Sequence, residues 1–175
     1  MRKEIRIAGS GGMGVVLAGV VLGHAAVVYA GLNAVQTQAY GSEARGTDAK
    51  SEVIISDAPI LYPKVIKSDY AVLMSQKAFD TNVSDAKEGS VILVDPDLVD
   101  CRGYDSRFEI LRVPAIVLAD RIGNRMAANM VMLGALVARS RVFSIEVLER
   151  SITQLVPSKS VASSIQAARL GSTQI

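Results

Sequence analysis

The sequence predicts an α/β domain on a doubly wound, mostly parallel sheet, with a glycine turn after the first strand and a helical C-terminal third. Three observations carry this. Runs nearly continuous in Val, Ile and Leu alternate with helical segments, the pattern of a sheet buried on both faces. Gly9-Ser10-Gly11-Gly12-Met13-Gly14 stands between a strand-like and a helix-like segment. Beyond Pro114 the periodicity is helical. With 175 residues, 50% hydrophobic and 21% charged, the chain fits one domain over 1–175.

Taken in order, Ile5, Arg6, Ile7 and Ala8 alternate as a short strand, and the glycine turn opens an apolar helix over 12–30. Strand, turn and helix begin a βαβ unit. Gly31 is placed to cap that helix, and 31–35 returns as the second strand. A polar loop is expected over 36–48 and a third strand over 51–56. Pro59 and Tyr62-Pro63 punctuate the chain before a fourth strand at 69–74. A short helix is expected over 78–86, a fifth strand over 90–95 closed by Pro96, a loop over 99–107 and a last strand over 108–113. The segment 124–141 leaves almost no polar face, so its helix is buried on more than one side. Ser144 is an N-cap with Glu146 in the first turn, and a final helix over 161–170 ends at Gly171.

Composition excludes several classes. A formal charge of +2, with 19 basic residues scattered along the chain, is no nucleic-acid footprint. One cysteine, Cys101, and one histidine, His24, cannot build a structural zinc site or an iron–sulfur cluster from this chain, and no internal disulfide exists. The apolar run 15–32 and a mean hydropathy of +0.31 raise the question of a membrane anchor or signal peptide. Glu4, Arg6 and the glycines between the basic start and the run favour a buried helix of a cytoplasmic protein, with a large partner interface.

The chemistry concentrates at two places. Gly9-x-Gly11-x-x-Gly14 matches a Rossmann-like phosphate turn, in which missing Cβ atoms admit a phosphate and the helix N-terminus supplies N–H donors. The acid that a NAD site requires after the second strand is absent, since Asn33-Ala34-Val35-Gln36-Thr37-Gln38 stands there. A dinucleotide, another phosphate-bearing ligand and a purely structural turn all remain open from spacing alone. The loop with Gln38, Tyr40, Gly41, Glu43, Arg45 and Gly46 falls at the carboxyl edge of the sheet, where open α/β folds bind ligands. Together with Gly9, Gly11, Gly12 and Gly14 it is expected to form one rim facing a ligand or a subunit. His24, inside the first helix, reads as a core histidine donating to a backbone carbonyl. Cys101 reads as a bystander thiol beside Arg102, and Asp95, Asp97 and Asp100 as turn caps, not metal ligands.

Three blocks carry a resemblance. The turn 9–14, the segment 36–46 followed by Lys50-Ser51-Glu52-Val53-Ile54-Ile55-Ser56, and Asn124-Arg125-Met126-Ala127-Ala128-Asn129 with the apolar run behind it resemble the gamma subunit of 2-oxoacid:ferredoxin oxidoreductases, in order over about 5–136. The form Tyr40-Gly41-x-Glu43-Ala44-Arg45-Gly46 is similar to the 2-oxoglutarate branch, since pyruvate and branched-chain members tend to carry two arginines after the Glu. Met13 stands where the family often has Gln, and Ser42 where the nearest branch often has Pro; a thioether cannot donate a hydrogen bond.

The resemblance implies a heteromeric enzyme that decarboxylates a 2-oxoacid oxidatively with coenzyme A and passes electrons to ferredoxin. Thiamine diphosphate, magnesium and iron–sulfur clusters would sit in alpha, beta or delta partner subunits. The gamma chain would be noncatalytic and inactive alone, shaping the coenzyme A side of the site and free to self-associate in isolation. Two rivals are a freestanding nucleotide-binding oxidoreductase and a scaffold whose glycine turn binds nothing.

Overall fold

The computed structural model describes residues 1–42 and 47–175. Six strands, β1 (Arg2–Ser10), β2 (Asn33–Tyr40), β3 (Asp48–Ser56), β4 (Ser68–Leu73), β5 (Ala86–Val94) and β6 (Glu109–Arg112), form one sheet in the order β2-β3-β1-β4-β5-β6. Six α-helices accompany them: α1 (Val15–His24), α2 (Gln76–Asn82), α3 (Ala115–Arg121), α4 (Ala128–Ser140), α5 (Ile145–Leu155) and α6 (Ser158–Ser172). β1, β4, β5 and β6 pair in parallel, while β3 runs antiparallel to both β1 and β2. The fold is therefore α/β with a mixed sheet.

Three expectations are corrected here. The polar segment 36–48, expected as a loop, begins and ends in strand: β2 runs to Tyr40 and β3 starts at Asp48, with Tyr40 opposite Ala49 and Gly41 N donating to Asp48 O at 2.8 Å. Cross-strand pairing satisfies those backbone groups whatever the side-chain polarity, and an edge strand tolerates polar residues. The first crossover also skips a position, because the β2–β3 hairpin inserts β3 beside β1 and sends β2 to the edge. The short helix ends earlier than expected, since Ala86 already belongs to β5 and pairs with Ser68.

The first helix continues from α1 into a wider turn at Ala25–Tyr29 before Gly31, at φ 67°, closes it. Alternation along β1 then assigns the faces. Ile5 and Ile7 enter the larger core with α1, α3, α4, α5 and α6, whereas Ala8 meets Phe79 of α2, Cys101 and Phe108 on the other face. Arg6 also points to that second face, 3% exposed, with Nη2 at 2.7 Å from Glu52 and donating to Val65 O. Every residue of α4 from Ala128 to Val137 is buried, as its apolar circumference requires. Among the described residues no helix is long and apolar enough to cross a membrane. Parallel neighbours β1 and β4 send α1 and α2 to opposite faces, and that divergence opens a crevice at their carboxyl ends.

Candidate functional site

The glycine turn lies at the mouth of that crevice. Gly12 and Gly14 adopt φ of 85° and 69°, a left-handed backbone that a Cβ would strain. Gly9 is fixed by packing, since a Cβ there would stand 3.0 Å from Val15 Cγ2 and 3.2 Å from Met74 Cβ. Gly11 N donates to Thr47 O at 2.7 Å, which ties the turn to the end of the hairpin connection. Gly41 and Thr47, on either side of that connection, thus stand at the same sheet edge as the turn.

Above the turn is a cavity of about 430 Å³. The first residues of α1 form one wall, the approach to α4 (Asn124, Met126, Ala127) a second, and the start of α6 (Pro157, Ser160, Ser164) a third. Three helix N-terminal ends therefore converge, although Ser160 N of α6 already donates to Pro157 O at 2.8 Å and Met130 N of α4 to Asn129 Oδ1 at 2.9 Å. Asn129, 4% exposed, donates from Nδ2 to Gly14 O at 3.1 Å and so links α4 to the turn. Asn124 Nδ2 donates to Ser163 Oγ at 2.8 Å, which leaves its carbonyl oxygen available. Ser164, also 4% exposed, has no side-chain hydrogen bond among the described residues. A smaller cavity of about 220 Å³ shares Gly12 and Met126 with the first and is lined by Met13, Met74 and Met132. Met13 Sδ accepts from Ser10 N at 3.4 Å, so the thioether acts as an acceptor inside the turn.

Of the expected rim, Gly11, Gly12, Gly14 and Tyr40 line the main cavity, with Tyr40 63% exposed. Gly9 lines a different cavity, the one that Gly41 borders. Gly41 borders a separate cavity of about 190 Å³ together with Asp48 and Asn82, and Gln38 is exposed on the edge strand and lines neither. Glu43, Arg45 and Gly46 lie outside the described residues. Sequence spacing missed Asn129, Ser160 and Ser164, which come from far along the chain. The one available signal was a polar Asn within an otherwise apolar helix.

The other candidates stand apart. His24 Nδ1 lies 2.9 Å from Ser151 Oγ, whose single hydrogen goes to Val21 O at 2.9 Å, so Nδ1–H donates to the hydroxyl. The expected backbone-carbonyl partner of His24 is thus replaced by a serine, whose own hydrogen goes on to the carbonyl of Val21. Cys101 is buried on the opposite face with Arg112 Nη2 3.4 Å from its Sγ. Asp95 accepts from Asp97 N at 3.0 Å and Ile116 N at 2.9 Å, capping a turn and the start of α3. Asp100 is held below the usual carboxylate range by its hydrogen bonds to Arg102. Among the described residues no three His, Cys, Asp or Glu side chains are grouped to hold a metal ion.

Fold and cavity together define an open α/β protein with a crevice at a topological switch point, lined by glycine backbone, by the neutral polar Asn124, Asn129, Ser160 and Ser164, and by apolar side chains such as Val16, Met126 and Met130. The family described as pyruvate ferredoxin/flavodoxin oxidoreductase matches residues 4–174, and the chain belongs to it. It is 49% identical over 159 residues to the 2-oxoglutarate synthase subunit KorC of Methanocaldococcus jannaschii, covering 90% of this chain and 85% of the relative. The corresponding subunit of Methanothermobacter marburgensis is 46% identical, at 98% and 95% coverage. The keto/oxoacid ferredoxin oxidoreductase gamma subunit of Geobacter sulfurreducens superposes with a TM-score of 0.85 at 38% identity, covering 98% and 97% of the two chains. The 2-oxoglutarate:ferredoxin oxidoreductase of Magnetococcus marinus, solved with 2-oxoglutarate, coenzyme A and succinyl-CoA bound, shares the fold at 22% identity and a TM-score of 0.88, with 99% of this chain matching 31% of that one. The resemblance seen in the sequence blocks is thereby confirmed at the level of the gamma subunit.

Proposed function

We propose that this chain is the noncatalytic gamma subunit of a 2-oxoglutarate:ferredoxin oxidoreductase, and that the 430 Å³ cavity forms part of its coenzyme A side. The observation that carries the substrate is the 46–49% identity to three 2-oxoglutarate synthase subunits along at least 90% of this chain. Alpha, beta and possible delta chains would carry thiamine diphosphate, magnesium and the iron–sulfur clusters, and ferredoxin would take the electrons. The described residues offer no ligand set for such a metal, so no step of that chemistry is assigned to them.

What this chain contributes is recognition. Left-handed Gly12, with nothing within 4 Å of its Cβ position, lets a phosphate oxygen approach the backbone, and the first-turn N–H groups of α1 donate to it. Ser164 and Ser160 offer hydroxyls from α6, while Met126 and Met130 cover the apolar part of the ligand. Arg45 would add a cation to the rim.

Co-purification with thiamine- and iron–sulfur-bearing chains, together with coenzyme A-dependent oxidation of 2-oxoglutarate ahead of pyruvate, is the expected result. A lone chain active with a bound nucleotide overturns the assignment. Within the assembled enzyme, Ser164→Ala should raise the KM for coenzyme A about fivefold, with kcat and the KM for 2-oxoglutarate unchanged. An unchanged coenzyme A KM in both Ser164→Ala and Arg45→Ala removes the cavity from that role.

A further inference from the structure

A second polar cavity, of about 280 Å³, opens at the opposite, amino-terminal edge of the parallel strands. Its origin is a register break: Ser68 pairs with Ala86 but Tyr70 pairs with Val91, so residues 87–90 of β5 bulge out of the ladder. Gly89 turns this bulge at φ 75°, and its N–H is held by Arg107 O at 2.8 Å. Tyr70 and Ser90 line the cavity, each only 7% exposed. Ser90 Oγ has no partner, and the Tyr70 hydroxyl makes no hydrogen bond among the described residues. A buried serine hydroxyl without a partner at the wall of a polar cavity is costly unless something in the cavity bonds to it, and the Tyr70 hydroxyl is free to bond there as well.

Charge at the cavity is nearly, but not fully, balanced. Lys87 pairs with Asp69 at 2.6 Å, Arg107 with Glu88 at 2.7 Å and Arg139 with Glu109 at 2.5 Å. Lys3 lines the same cavity and has no carboxylate partner among the described residues; its Nζ stands 5.8 Å from the centre of the Tyr70 ring. One uncompensated positive charge therefore remains beside two hydroxyl donors. A single carboxylate supplies one negative charge and two acceptor oxygens, which matches this set. A phosphate dianion would bring a second negative charge up against Asp69 and Glu88.

We propose that the cavity formed by Lys3, Tyr70 and Ser90 is a carboxylate-binding site, separate from the crevice at the glycine turn and independent of the coenzyme A reading. The carboxylate comes either from a small free acid or from an acidic side chain of a partner subunit. Titrating the full-length chain with acetate, against chloride at matched ionic strength and against inorganic phosphate, and following backbone amide NMR shifts, reads the first source. Saturable, acetate-specific shifts at Tyr70 and Ser90 are expected, with the apparent Kd about tenfold weaker in Lys3→Ala and in Tyr70→Phe. The second source is read in the assembled complex, where the Lys3→Ala/Tyr70→Phe pair should release the chain at lower salt than wild type. Either response supports the site. Acetate shifts that survive both substitutions, an equal response to phosphate, or no acetate response together with unchanged assembly would overturn it.

Discussion

Gly14 shows how one residue joins backbone conformation to the site. Its φ of 69° is left-handed, and an added Cβ would overlap Asn129 Nδ2 and stand 3.1 Å from Asn129 Cγ. Gly14→Ala should therefore cost about 2 kcal/mol, from backbone strain and the displaced Asn129 hydrogen bond together, measured by urea unfolding. Gly12 has the same kind of φ, but nothing lies within 4 Å of its Cβ position, so Gly12→Ala should cost only the strain, about 1 kcal/mol. Equal losses at the two positions would contradict the packing account. At the far edge, hydrogen bonding to Arg139 lowers the Glu109 pKa. A carboxylate lowered in the folded state stabilises above its unfolded value, about 4.3, and that contribution fades as pH falls through the lower folded value. Arg139→Ala should thus cost less than about 1 kcal/mol at pH 7, because the pair is partly exposed, and the deficit should shrink toward zero as pH drops below about 4. A deficit that grows in acid would reverse the sign of this linkage.

At the scale of elements, α4 and α6 are held together by the absence of side chains. A Cβ on Gly134 would overlap the Ala168 carbonyl, and one on Gly171 would overlap the Val131 carbonyl. On an exposed helix, Gly→Ala gains about 1 kcal/mol of helix propensity. Here the overlap is with rigid backbone, so Gly134→Ala should instead destabilise by about 2 kcal/mol and loosen α6, seen as faster hydrogen exchange of its amides. A stabilised variant would show that the close approach does not matter. The apolar circumference of the 124–141 segment announced a doubly covered helix, whereas its partner did not announce itself, because α6 reads as a mostly polar segment. The hairpin was hidden for a related reason: Gln36, Thr37 and Gln38 are polar, and strand formation at an edge is decided by pairing with Glu52 and its neighbours, not by hydrophobic alternation.

Across the whole molecule, Arg6 ties together parts that no local pattern connects. Its guanidinium meets Glu52 of β3, Val65 O in the connection to β4, and Asp85 O just before β5. Arg6→Ala leaves the largely buried Glu52 with only the more distant Lys50, at 3.5 Å, and should cost about 3 kcal/mol, while Arg6→Met with Glu52→Leu should recover most of that loss in thermal or denaturant unfolding. An equally damaged double variant would place the cost in the lost backbone contacts instead. The sequence by itself determined the α/β class, the strand-turn-helix at the amino terminus, the buried α4 and the family, since these rest on local periodicity, glycine chemistry and contiguous blocks. Tertiary structure alone decided the antiparallel insertion of β3, the convergence of Asn129 and Ser164 on the glycine turn, and the unpaired Lys3, Tyr70 and Ser90 at the other edge. Each depends on residues brought together from distant parts of the chain or on strand register, and neither spatial proximity across long loops nor a hydroxyl left without a partner is written in sequence spacing.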